Sequence, residues 1–156
     1  MEHKHSLERD PLVVLSDVAR MLRTRADQRA RAQGMTRAQW MILARVERQP
    51  GLSQNELAAL VEVEPITVAR LIDRLEARGF VERRADSTDR RIWRLHLLPA
   101  AKPMLKEIAQ ARAELNTMLI SGLGAETLTT TIDCLLRMKA NMCAGASQRE
   151  PRARSV

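Results

Sequence analysis

Residues 52–98 read LSQNELAALVEVEPITVARLIDRLEARGFVERRADSTDRRIWRLHLL, and the order of signals within them sets the architecture of the chain. Ser53-Gln54-Asn55-Glu56 has the form of a capping box, in which the Ser53 hydroxyl accepts from the first-turn amides and Glu56 reaches back. Leu57, Leu60 and Val61 follow as the apolar set of a short helix opening at Ser53. Pro65 suits the first turn of a second helix, where no amide hydrogen is needed, and Gly79 suits its end. That helix is expected from Pro65 to Arg78. Val68, Leu71, Ile72 and Leu75 recur on it at three- and four-residue spacing and face inward, which leaves Thr67, Arg70, Asp73 and Arg74 outward.

Beyond Gly79 the period changes from helical to alternating. Residues 80–84 (FVERR) and 92–98 (IWRLHLL) read as strands, joined by residues 85–90 (ADSTDR), which are rich in turn formers. Helix, turn, helix and hairpin is the order of a winged helix-turn-helix. In that architecture the second helix enters the major groove of double-stranded DNA and the wing lies over the adjacent backbone or minor groove. Arg90 and Arg91 stand at the wing tip.

On these residues the chain resembles the MarR family of bacterial transcription regulators, near its SlyA-like members. The likeness is carried by residues 52–58 (LSQNELA), residues 68–79 (VARLIDRLEARG) and Asp89-Arg90-Arg91, and it extends over most of the chain. What it implies is a homodimeric repressor or activator that binds a palindromic operator. One departure is Leu98-Pro99, where many relatives place Leu-Thr; the missing hydroxyl removes a cap from the helix that follows the wing.

Composition agrees with this class. The chain has 156 residues with 45% hydrophobic content, enough for one ordinary domain with a core. Abundant Ala, Leu, Arg and Met, with no Tyr and a single Phe, point to a mainly α fold. A net charge of +7 favours a polyanionic partner without identifying one. No phosphate loop, nucleophile elbow or metal-ligand spacing is present, so the chain is read as a non-enzyme without cofactor or metal. Cys134 and Cys143 are read as packing residues. The N-terminus lacks the pattern of a signal peptide and no apolar run approaches membrane-helix length, so a cytoplasmic location with no membrane partner is expected.

Around the central lobe, the apolar residues Leu12, Val14, Leu15, Val18, Met21 and Leu22 place a helix over about Pro11–Ala32. Its basic second half reads first as a solvated face and only second as a DNA contact. Thr36-Arg37-Ala38-Gln39 is a second capping box, opening a helix that carries Trp40, Met41, Leu43 and Val46. After Pro99 and Pro103 come two further helices, the last from about Ala125 to Ala144. The expected organisation is an N-terminal arm and dimerisation helix (1–35), the winged lobe (36–98), C-terminal dimerisation helices (99–145) and a disordered basic tail (146–156). Long apolar faces outside the lobe need cover, which a second copy would supply; a monomer folding them onto itself is the alternative.

The candidate DNA contacts are Ser53, Pro65, Thr67, Arg70, Arg74, Arg90 and Arg91. Arg70 and Arg74 lie one turn apart, and Arg70 is the candidate for a base edge, since Arg can bond guanine O6 and N7 together. Arg74 has a rival role in a salt bridge with Asp73 or another nearby acid. Thr67 and the amides near Pro65 suit phosphate or a thymine methyl. At the wing, Asp89 is expected to hold one neighbouring Arg while the other enters the minor groove, and the sequence does not choose between them. Arg83, Arg84 and Arg94 read as phosphate contacts or solvated charges. The resemblance also implies a small aromatic or phenolic effector bound near Trp40 and Met21, residues whose first reading is as core. It gives no support for peroxide sensing, since no Cys lies in the first helix, and little for zinc sensing, with only His3, His5 and His96. A DNA-binding architectural protein without sequence preference, or a winged-helix protein-interaction module, is the alternative function.

Overall fold

The computed structural model describes residues 8–61 and 63–147, with side chains through residue 144. The tail expected to be disordered falls outside them past residue 147. Among the described residues six helices and one hairpin run in the order α1 (Pro11–Ala32), α2 (Arg37–Arg48), α3 (Gln54–Val61), α4 (Pro65–Ala77), β1 (Val81–Ala85), β2 (Trp93–Leu97), a 3₁₀ turn (Pro99–Ala101), α5 (Lys102–Ile120) and α6 (Ala125–Ser147). The fold is mainly α with a small antiparallel sheet, as the periodicities predict.

Local chemistry accounts for the boundaries. Asp10 caps α1 by accepting from the Leu12 and Val13 amides, and Gly34 at φ 66° turns the chain out of it. Both predicted capping boxes form. The Thr36 Oγ accepts from the Gln39 amide at 3.2 Å while Gln39 accepts from the Thr36 amide at 2.9 Å, and Ser53 and Glu56 repeat the exchange at 3.2 and 2.7 Å. Pro65 occupies the first turn of α4, and Gly79 at φ 69° lets the Phe80 amide return to the Leu75 carbonyl. At Leu98-Pro99 the missing hydroxyl has a visible consequence. The chain enters a 3₁₀ turn with no side-chain cap, and α5 starts only at Lys102.

The strands pair antiparallel from Val81↔Leu97 to Ala85↔Trp93. Residues 51–53 extend this sheet on the β2 edge: the Gly51 amide donates to Leu95 O, the Leu95 amide donates to Leu52 O, and Ser53 bridges Arg94. The loop before α3 is thereby hydrogen-bonded to the wing. Burial matches the pattern, since Val68, Ile72 and Leu75 of α4 are fully enclosed with Leu57 of α3, Ile42, Leu43 and Val46 of α2, Val81 and Leu95 of the sheet. Each such side chain stabilises the lobe by roughly 1.5–3 kcal/mol. Met104 and Ala111 of α5 join the same core.

Two compact units divide the chain, Met1–Leu115 and Asn116–Val156, so α5 belongs to both. In the first, Leu12, Val14, Leu15 and Met21 of α1 are exposed. In the second, Gly122 at φ 81° precedes α6, on which Ile132, Leu135, Leu136 and Met142 are exposed. Cys134 and Cys143 are also exposed, which corrects their reading as packing residues. Helical period places a residue on a face but does not say whether that face is covered. No described helix is long and apolar enough to cross a membrane.

Candidate nucleic-acid interface

The outer ridge of α4 is a consequence of its inner one. With Val68, Ile72 and Leu75 at 0% exposure, the helix is fixed in rotation, and Pro65, Ile66, Thr67, Arg70, Asp73 and Arg74 are presented to solvent. The charge on this ridge is sorted by β1. Arg83 donates to Asp73 at 2.6 Å through one terminal nitrogen and to Glu76 through the other, and its backbone amide donates to Glu76 at 3.2 Å. Asp73, the acid that interrupts the ridge, is therefore neutralised from behind. Among the described residues neither Arg70 nor Arg74 has an ion-pair partner, so the salt bridge weighed for Arg74 with Asp73 does not form. Arg83 is also corrected, from a phosphate contact or solvated charge to a brace between β1 and α4.

The wing tip is held by two carboxylates. Asp86 Oδ1 accepts from the Thr88 hydroxyl at 2.6 Å, the Thr88 amide at 2.7 Å and the Asp89 amide at 3.0 Å, while Oδ2 accepts from Arg94 Nε at 2.7 Å. These bonds, that from the Thr88 hydroxyl foremost, keep the Asp86 carboxyl far below the usual carboxylate range. Asp89 takes Arg91, through Nε and Nη2 at 3.1 Å each and through the backbone amide at 3.0 Å. The guanidinium bonds, followed by the amide bond, lower the Asp89 pKa. Arg91 is thus the Arg that Asp89 holds, and Arg90 is exposed with no acid partner among the described residues. Arg84 pairs with Glu82 through a 2.7 Å bond from Nε, and Arg94 is bonded at both ends of its guanidinium, so neither is a bare solvated charge.

Between the start of α3 and the wing lies a cleft of about 270 Å³ lined by Ser53, Gln54, Asn55, Arg83, Arg91, Ile92 and Trp93. It brings Ser53 and Arg91 to one concave surface. A second cleft, of about 570 Å³, is lined by Arg31, Met35, Thr36, Gln39, Arg74 and Arg78, among others, and so brings the basic end of α1 beside α4. Arg78 there donates to Gly34 O at 3.1 Å and lies 4.8 Å from the Phe80 ring centre.

Two exposed residues of this surface, Ile66 and Trp93, are not among the contacts that the sequence pattern singles out. Ile66, 64% exposed, follows Pro65 and lies outside the buried stripe of α4, a departure that periodicity could have flagged. Trp93, 50% exposed, shares the inward-alternating face with Leu95 but lies past the end of the core. Nothing local to the sequence marks where the core stops.

Trp40 and Met21 sit elsewhere. Trp40 is 7% exposed in the core of the lobe, and its indole N–H has no acceptor among the described residues. Met21 is 49% exposed on α1. Neither lines the two clefts above, nor a further one near the Pro50 loop and the start of α5.

Comparison with known proteins bears on the same elements. The model of the MarR family matches residues 35–93, from the turn before α2 through the first residue of β2. The crystal structure of the transcriptional regulator SlyA is similar at 30% identity and TM-score 0.75, covering 85% of this chain and 94% of that one. A probable transcriptional regulator from Pseudomonas aeruginosa is similar at 25% identity and TM-score 0.71, covering 85% of this chain and 98% of that one. The S. aureus MepR–DNA complex shares the fold at 21% identity and TM-score 0.75, covering 86% of this chain and 98% of MepR. With the family model over the α4 ridge and the wing tip, and a 30%-identical transcriptional regulator matched over 94% of its own length, the chain belongs to the MarR family of transcriptional regulators.

Proposed function

We propose that two copies of this chain bind a palindromic DNA operator, with α4 of each in a major groove and each wing over the flanking minor groove. The observation that carries this reading is the sorted charge of the α4 ridge, where Arg83 occupies Asp73 and leaves Arg70 and Arg74 without acids among the described residues. Arg70 takes the base edge, where paired hydrogen bonds to guanine are worth about 1–3 kcal/mol of discrimination. Thr67, the helix end at Pro65, Ser53 and Arg74 serve as phosphate and sugar contacts, with Ile66 suited to a thymine methyl. Arg90 enters the minor groove, since Asp89 already holds Arg91. MepR, similar in fold, was solved with DNA.

The dimer rests on the exposed apolar residues of α1 and α6, which a two-fold partner would cover. The effector reading rests on Trp40, whose buried indole N–H without an acceptor among the described residues suits a small aromatic anion; Met21, exposed on α1, enters this reading only as an adaptable apolar side chain. Such a ligand would release DNA by favouring a different spacing of the two α4 helices. A DNA regulator of this kind works in the cytoplasm.

In vitro selection from random duplexes tests the reading. A palindromic consensus is expected, bound roughly 10³-fold or more tightly than random DNA, with affinity falling steeply with salt. Equal affinity for all duplexes removes the operator, and no affinity for any removes the reading. Adding aromatic acids to the bound complex tests the effector; no change in affinity across such a panel removes it.

A further inference from the structure

Arg94 of β2 has three acceptors from three separate segments. Its Nε donates to Asp86 of the wing loop at 2.7 Å, and its Nη1 donates to the Gly51 carbonyl at 3.2 Å and to Glu56 of α3 at 2.9 Å. Each acid is itself ordered. Glu56 closes the capping box by accepting from the Ser53 amide, and Asp86 gathers Thr88 and the Asp89 amide. The side chain is 30% exposed, and Asp86 only 13%. One guanidinium therefore links the loop that carries Arg90 and Arg91 to the first turn of the helix-turn-helix, through acids thirty positions apart in sequence.

We propose that Arg94 is a positioning residue, a clasp that holds the wing tip in register with α3 and so with the α4 ridge, without itself touching DNA. Its role in binding rests on the operator reading above; the clasp in the free protein does not. A planar fork with donors on different edges is needed, because the acceptors lie in different directions, and a Lys ammonium offers a single point. The electrostatics agree. The Ser53 amide bond foremost, then the Ser53 side chain and only after them Arg94, lower the Glu56 pKa, and Asp86 foremost raises that of Arg94. A guanidinium already committed to two carboxylates is also a poor phosphate ligand, which argues against the contact that its place on a wing strand suggests.

The sign of one substitution separates the two roles. Glu56→Gln keeps an oxygen for the Ser53 amide, so the cap survives, and removes a negative charge near the DNA surface. If Arg94 were a phosphate contact, freeing it from an acid would strengthen DNA binding. If it is a clasp, Glu56→Gln weakens binding and loosens the wing. The first measurement is tryptic cleavage after Arg90 and Arg91 in the free dimer or monomer, with Arg94→Met, Arg94→Lys and Glu56→Gln against the wild type. Faster cleavage is expected in all three, and the Glu56→Gln effect should largely vanish on an Arg94→Met background, a coupling of roughly twofold or more. The second is minor-groove footprinting on the selected operator, where flank protection should fall while protection at the centre of each half-site persists. Unchanged cleavage in Arg94→Met, or a Glu56→Gln cleavage effect that persists undiminished on the Arg94→Met background, overturns the clasp. Should Arg94→Met fail to fold, Glu56→Gln and Arg94→Lys decide alone. A wild type that binds no duplex overturns the operator reading, and the cleavage comparison still decides the clasp.

Discussion

Two substitutions two residues apart on α4 should separate reading from folding. Arg70 is exposed and Ile72 is at 0% exposure, so the same helix carries recognition on one side and packing on the other. Arg70→Ala removes no buried contact and introduces the best helix former, so stability should move by less than about 0.5 kcal/mol. The operator should suffer more. Losing a paired guanine contact costs about 1–3 kcal/mol of discrimination, which is about 5- to 150-fold in the ratio of operator to random-DNA affinity. Ile72→Val does the reverse. Deleting one methylene from a filled site costs about 0.5–1.5 kcal/mol of stability, a noticeable share of the roughly 5–15 kcal/mol typical of a folded protein. With the ridge unchanged, its operator preference should equal that of the wild type. Urea melts and competition binding against random duplex at fixed salt read both quantities on both variants. The reasoning fails if Arg70→Ala keeps its full operator preference, or if Ile72→Val melts as the wild type does.

Other consequences follow from the wing, the caps and the outer helices. The carboxyls of Glu56 and Asp89 have lowered pKa values in the fold, so their contribution is whole above the ordinary carboxylate range near pH 4 and is lost as pH falls through the lowered values. The Ser53 and Arg91 amides, which donate to Glu56 and Asp89, should therefore shift in acid, and a transition above about pH 5 would assign the change to other groups. Gly79→Ala meets no atom within 4 Å but must hold φ near 69°, so it should cost about 1 kcal/mol in urea, and an unchanged midpoint would contradict that. On α6, Leu136 is 58% exposed, and Leu136→Glu is expected to shift the proposed dimer to monomer in sedimentation while leaving the winged lobe folded. A dimer that survives unchanged places the two-fold contact elsewhere.

The elements of this fold were legible along the chain because their causes are local. A Ser or Thr hydroxyl caps amides within one turn, Pro65 and Gly79 act at their own positions, and the change from helical to alternating period happens within a few residues of Phe80. Those rules placed α1 and α4 within a residue of their observed ends, and the joint spacing of LSQNELA, VARLIDRLEARG and Asp-Arg-Arg carried the family resemblance. The distribution of charge across the surface was not legible. Arg83 finds Asp73 and Glu76 across a helix-to-strand turn, and Arg94 finds Gly51 and Glu56 across two helices. Asp89 takes Arg91 over Arg90 through loop geometry that Asp86 imposes. Long charged side chains have many reachable partners in an unfolded chain, and which one is met depends on segments brought together by packing of the core. For the same reason Cys134, Cys143 and Trp93 kept helical or strand positions consistent with burial yet stand exposed: period assigns a face, and only neighbouring segments can cover it.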